Sequence, residues 1–173
     1  MIYRNQLDVT GRSSEIGHKA EEEFKAIVEK KYGKGVWEYR GTVSDDVQHI
    51  DCYLNISGKK YSVDVKSCKQ VGHRGLVWVE FMSHSYKGWL YGQQDLVAFQ
   101  RPDGKFLVVK RERLKDYAEC VCMGQEYVNS KELAYHKIYT RITRDRKGVN
   151  KLDVVSMLSY DEIEDNCFGR IWG

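Results

Sequence analysis

The stretch 48–67 constrains this chain more than any other. Side chains alternate between apolar and polar over 48–56 and again over 60–67, the pattern of strands with one buried face. Ser57-Gly58-Lys59 between them carries hairpin-turn chemistry, so the two runs fold back on one another. In the first run Ile50, Cys52, Leu54 and Ile56 share a face, and His49, Asp51, Tyr53 and Asn55 share the other. In the second, Tyr61, Val63 and Val65 oppose Ser62, Asp64 and Lys66. If the apolar faces join one core, Asp51, Asp64 and Lys66 project together from the opposite surface of a rigid hairpin. Two carboxylates so placed repel, which raises a pKa unless a cation intervenes.

The rest of the chain reads as elements that cover this hairpin. Ser13-Ser14-Glu15 is a helix start, with a hydroxyl cap and an early acid. Ile16, Ala20, Phe24, Ile27 and Val28 then recur at helical spacing, and the helix ends near Tyr32-Gly33. A short strand is expected over 36–39, a turn-rich loop over 41–46, and buried strands over 76–82 and 96–100. Arg101-Pro102-Asp103-Gly104 is a turn with proline at its second position, leading into a strand over 105–110. Helices are expected over 113–122 and 130–135, and a last hairpin pairs 137–141 with 152–158 across 145–148. There is no repeat or low-complexity tract, and only one proline. The expected fold is a single α+β domain over 1–173, a mixed central β-sheet flanked by helices.

Composition narrows the class. With 173 residues, 42% hydrophobic and 31% charged, the chain can bury a core and is not a disordered polyelectrolyte. A mean hydropathy of −0.59, with no apolar run near the ~20 residues of a membrane helix, excludes a helical membrane protein. The opening Met1-Ile2-Tyr3-Arg4-Asn5-Gln6 lacks the apolar segment of a secretory signal, so a cytoplasmic location is expected. Five cysteines, an odd number, fit reduced thiols. Cys120-Val-Cys122 with His136 lacks the second spaced pair of a zinc site and reads as small buried side chains.

The net charge of +3 is unevenly spread. Lys137, Arg141, Arg144, Arg146, Lys147 and Lys151 stand against the single acid Asp145, and Asp161, Glu162, Glu164 and Asp165 follow. Such a block suits a polyanion at one edge, although a solvated hairpin face accounts for the charge equally well.

Hard divalent ions such as Mg²⁺ take oxygen ligands, commonly one or two carboxylates plus substrate phosphate. Lys66, two residues beyond Asp64 on the same face, is placed to orient an attacking water or to steady developing phosphorane charge. That set fits metal-assisted phosphodiester hydrolysis. Acid-x-Lys triplets also occur at Glu23-Phe-Lys25, Glu29-Lys-Lys31, Asp103-Gly-Lys105 and Asp145-Arg-Lys147. Only Asp64-Val65-Lys66 ends an apolar alternating strand with a second acid on its hairpin partner.

Asp51, a hairpin, then Asp64-Val65-Lys66, preceded by a helix carrying Glu21, resembles the PD-(D/E)xK nuclease superfamily. Gly17-His-Lys-Ala-Glu21-Glu-Glu-Phe24 is similar to the Gly-x-x-x-Glu opening of archaeal Holliday-junction resolvases. A looser likeness to small phage-encoded nucleases continues through Leu76-Val-Trp-Val-Glu-Phe81, Gly88-Trp89-Leu90 and Asp95-Leu-Val-Ala-Phe99. His49-Ile50 stand where the motif's proline falls.

The resemblance implies a metal-dependent endonuclease that acts on duplex or branched DNA and leaves a 5′-phosphate and a 3′-hydroxyl. Asp51, Asp64 and the Val65 carbonyl would hold Mg²⁺ or Mn²⁺, Lys66 would position the water, and Glu21 would reach the metal from its helix. Helical geometry alone leaves Glu21 and Glu23 open, while the family spacing selects Glu21. Lys69, Arg74, Arg141, Arg144, Arg146 and Lys147 would contact backbone phosphate. His49, His73 and His84 read as surface or loop histidines, with His49 on the face of Asp51. Trp78 and Trp89 read first as core, though either could stack on a base. The rival enzyme is a resolvase or sequence-specific endonuclease working as a homodimer. Rivals of another class are a DNA-binding protein that kept the fold without catalysis, and an interaction protein whose acidic face only solubilises it.

Overall fold

The computed structural model describes residues 12–41, 47–145 and 147–173. The elements are α1 (Arg12–Tyr32), β1 (Trp37–Tyr39), β2 (Cys52–Ile56), β3 (Lys59–Lys66), β4 (Leu76–Ser83), β5 (Tyr86–Lys87), β6 (Leu96–Gln100) and β7 (Phe106–Lys110). They continue with α2 (Arg111–Cys122), β8 (Tyr127–Val128), β9 (Ile138–Arg144), β10 (Asn150–Ser159), α3 (Tyr160–Cys167) and β11 (Arg170–Trp172). One sheet has six strands in the order β1-β2-β3-β6-β7-β11, and the other has five in the order β5-β4-β10-β9-β8. The architecture is α+β with mixed sheets flanked by helices.

The β2–β3 hairpin turns on Ser57 and Gly58, whose φ values of 50° and 75° are both left-handed. That is the two-residue turn whose twist matches its flanking strands, and a glycine at its second position avoids the Cβ penalty there. Beyond the hairpin, β3 pairs with β6 in parallel, Asp64 opposite Val97 and Lys66 opposite Phe99. Parallel neighbours need a crossover connection. Here it runs through β4 and β5 of the other sheet and returns by a short 3₁₀ turn, Trp89–Tyr91.

The hairpin's apolar face packs as its alternation requires. Cys52, Leu54, Val63 and Val65 are buried with Ala98, Phe106 and Val108 against Ala20, Phe24 and Val28 of α1. Phe24 anchors that layer, its ring 6.1 Å from Trp37, 5.0 Å from Phe106 and 5.9 Å from Trp172. Clusters of this kind add to area burial through edge and offset contacts. Ile16, on the same helical stripe, is 44% exposed, because the first turns of α1 run past the apolar layer toward the cleft described below.

The opposite face differs from the expected solvated one, since β3 is an interior strand. Its polar face continues across the sheet as Val97, Phe99, Leu107 and Val109, which pack on Val77, Val79, Phe81 and Leu158 of the second sheet and on Leu114 and Ile163 of the helices. Asp64 is only 3% exposed.

Other boundaries shift. Strand β2 begins at Cys52, so Asp51 stands in the approach to the strand, and His49 adopts a left-handed φ of 58°. The segment expected to be helical over 130–135 is only a 3₁₀ turn, Lys131–Leu133. The acidic run after β10 folds as α3. The last hairpin forms as expected, with Arg141 opposite Asp153 and Tyr139 opposite Val155. All five cysteines are free. Among the described residues no helix is long and apolar enough to cross a membrane. Most of the loop expected over 41–46, and Arg146, lie outside the described residues.

Candidate active site

The two sheets part on one side to leave a cleft of about 1190 Å³. Its floor carries Asp51, Asp64, Val65 and Lys66, with Glu21 and Gly17 of α1 and Arg40 at one margin. Its far wall is the face of β4, β10 and β9 that bears Trp78, Glu80, Asp153, Val155, Tyr139 and Arg141.

Strand geometry explains how Asp51 is fixed. Because β2 starts one residue later, the Val65 N–H has no ladder partner on that edge, and it donates to Asp51 Oδ2 at 2.7 Å. The Val65 carbonyl lies on the same edge of the strand. The Asp51 N–H donates to the Val63 carbonyl at 2.9 Å, and Arg40 Nη1 approaches Asp51 Oδ1 at 3.3 Å.

Asp64 is held from two sides. Lys66 Nζ lies 2.8 Å from its Oδ2. Gln94 Nε2 donates to the same oxygen at 3.3 Å and to the Trp89 carbonyl at 2.8 Å. Gln94 is 1% exposed, and its Oε1 has no partner among the described residues. A Cβ on Gly92 would stand 2.1 Å from that oxygen, so the glycine is what lets the amide sit there. The indole of Trp89 backs Lys66 Nζ at 5.1 Å from its ring centre.

The electrostatics of the floor are strained. Burial and then the neighbouring Asp64 push Asp51 up to about 7, and burial and then Asp51 push Glu21 up to about 7. Burial also raises Asp64, against the pull of Lys66 and of a hydrogen bond to Asp51. The half-buried Asp51 and the buried Asp64 therefore act on one another, and a proton or a cation is what makes that tolerable. Lys66 would be lowered by burial, but Asp64 and Asp51 outweigh it and hold it as an ammonium. Glu80, on the far wall, is raised by burial against the same lysine. His49 is pushed down to about 4 by burial and then by Lys66, so its imidazole is neutral at pH 7.

The donor set suits a hard cation. Among the described residues no three His, Cys, Asp or Glu side chains form a ready metal cage. A divalent ion could be held by the Asp51–Asp64 pair, a backbone carbonyl and water, which is how Mg²⁺ is commonly bound. Its charge would offset the burial that raises both acids and the added repulsion from Asp64 that Asp51 feels.

Of the residues singled out in the sequence, Glu21, Asp51, Asp64, Val65, Lys66, Lys69 and Arg141 line the cleft together. Glu23 accepts a hydrogen bond from Gln100 instead and lies off the cleft. Arg74, Arg144 and Lys147 do not line it either, with Arg144 Nε donating to Asn150 at 3.2 Å. Arg141 does not point freely outward. Its Nε and Nη2 donate to Asp153 Oδ2 at 3.2 and 2.7 Å. Gln94 and Glu80 were not legible, since both reach the acids only through the crossover. The one signal was Gly92-Gln-Gln-Asp95, polar residues directly before a buried strand. No family model, no curated protein and no solved structure matches the chain.

Proposed function

We propose that the protein is a divalent-metal-dependent nuclease that hydrolyses DNA phosphodiester bonds. The observation that carries this reading is the buried Asp64, with the Lys66 ammonium 2.8 Å from its Oδ2 and Asp51 held on the Val65 N–H beside it, at the floor of a cleft. Burying like charges is costly, and a substrate-binding cation is the use that repays it. The resemblance of Glu21, Asp51 and Asp64-Val65-Lys66 to PD-(D/E)xK nucleases supports the same reading.

When bound, Mg²⁺ or Mn²⁺ supplies a lowered water pKa and polarisation of the phosphoryl oxygen. The residues of the chain do the rest. Asp51 and Asp64 would hold the ion, with the Val65 carbonyl as a further ligand and Glu21 within the same cleft. Lys66 acts as a hydrogen-bond donor rather than as a base, steadying charge that develops on the attacked phosphate. Gln94 sets the orientation of Asp64. Cutting that leaves a 5′-phosphate and a 3′-hydroxyl follows from the family likeness.

Purified protein is incubated with plasmid, linear and four-way-junction DNA in Mn²⁺, Mg²⁺ or EDTA, beside Asp64→Ala. The expected result is cutting in metal that is absent in EDTA and in the variant, with ligatable 5′-phosphate ends. Wild type that cuts none of the three but retards them in a gel would replace this reading with that of a DNA-binding protein.

A further inference from the structure

The wall opposite the acids has a chemistry of its own. In register, Glu80 of β4 faces Val155 of β10, which faces Tyr139 of β9, so Trp78, Glu80 and Tyr139 share one face of the second sheet. The β4–β5 hairpin turns through His84 and Ser85, at left-handed φ of 49° and 66°, and so delivers Tyr86 to the cleft rim. Tyr86 is 71% exposed. Cations stand among these rings, with Lys87 beside Tyr86 in the chain and Lys151 Nζ 5.7 Å from the Tyr86 ring centre. Arg141, clamped by Asp153, still leaves its side chain 57% exposed.

The charges on this wall nearly cancel, Arg141 against Asp153 and Lys151 near Asp145 at 3.9 Å. Any affinity the wall has for nucleic acid therefore comes mainly from the rings. Aromatic faces stack on bases of any sequence, but only where the bases are unpaired. A single strand offers its unpaired bases to these rings, where an intact duplex keeps its bases stacked inside.

We propose that this cleft takes a single strand of DNA, its bases stacked on Tyr86, Trp78 and Tyr139 and its backbone running over the acid-bearing floor. The inference rests on reading the cleft as a nucleic-acid site, and it restricts that reading to unpaired segments such as single strands, flaps or opened branches.

The test is fluorescence anisotropy in EDTA with a labelled oligothymidylate and a duplex of equal length. Wild type is expected to bind the single strand at least ~10-fold more tightly than the duplex, and Tyr86→Ala to weaken single-strand binding by about 10-fold. Tyr127→Ala, an equally exposed tyrosine at 71% and outside the cleft, serves as the control and leaves it unchanged. Duplex bound as tightly as single strand, or Tyr86→Ala bound like wild type, overturns the proposal. Since no metal is present, the result is separable from catalysis. Single-strand binding through Tyr86 without Mn²⁺-dependent cutting defeats the nuclease reading alone, and cutting of intact duplex at the single-strand rate defeats this one alone.

Discussion

At the scale of single residues, the site is a set of side chains each held by another. Asp51 is fixed by a backbone N–H, and Asp64 by Lys66 and by a glutamine that is itself fixed by the Trp89 carbonyl. Partners of metal ligands typically matter by 10–100-fold in metal affinity or activity. Gln94→Leu removes the hydrogen bond to Asp64 while keeping similar bulk, so it is expected to raise the Mn²⁺ concentration needed for half-maximal cutting by about 10–100-fold. Gln94→Glu, which puts another acid beside Asp64, should do no better. A metal titration of the variant that overlays wild type would show that the amide only fills space. The acids and the lysine were legible in the sequence because strand alternation places them on one face. Gln94 was not, because its contact with Asp64 spans thirty positions and depends on a parallel pairing that no local pattern encodes.

At the scale of elements, α1 is tied to the sheet by the aromatic cluster around Phe24, and this anchoring carries Glu21 to the cleft. The stripe Ala20, Phe24, Val28 made that helix readable from its spacing. The helix α3 was hidden by its own charge, for Asp161 to Asp165 read as an acidic tail. Its start nonetheless carries a capping box, with the Ser159 hydroxyl accepting from the Glu162 N–H at 3.1 Å and donating to Glu162 Oε2 at 2.9 Å. Glu162 also accepts from Tyr135 at 2.6 Å and contacts His136 Nε2 at 2.7 Å, joining α3 to the turn before β9. Burial alone would raise the pKa of Glu162, but hydrogen bonds from Tyr135, His136 and Ser159 hold it below the usual glutamate value. A depressed native pKa means that the unfolded chain takes up this proton first. The stabilisation is therefore present above the unfolded pKa of about 4.3 and is lost as pH falls through the lower native value. Urea unfolding of wild type and Glu162→Gln should give a stability gap that is full near pH 7 and shrinks below about pH 4. A gap that stays constant across that range would contradict the assignment.

At the scale of the whole molecule, the crossover between β3 and β6 is also the far wall of the cleft. Forcing two parallel strands together sends the intervening chain out through β4 and β5 and back through the turn at Trp89, and that excursion sets Glu80, Trp89 and Gln94 around Lys66 and Asp64. The hairpins and the α+β class could be read from alternation and turns. The order of strands could not, since it depends on pairings far apart in the chain, and neither could the burial of Asp64, which follows from β3 being interior rather than an edge. If the protein is the nuclease proposed above, the Asp51–Asp64 pair drives cutting through a divalent ion. The most direct measurement is the rate of cleavage of a labelled DNA strand against Mn²⁺ concentration, for wild type and for Asp64→Asn with its fold verified by circular dichroism. Saturable, Mn²⁺-dependent cutting by wild type is expected, with a loss of more than ~100-fold in the folded variant. Equal cutting by Asp64→Asn, or no cutting by wild type at any Mn²⁺ concentration, would contradict it.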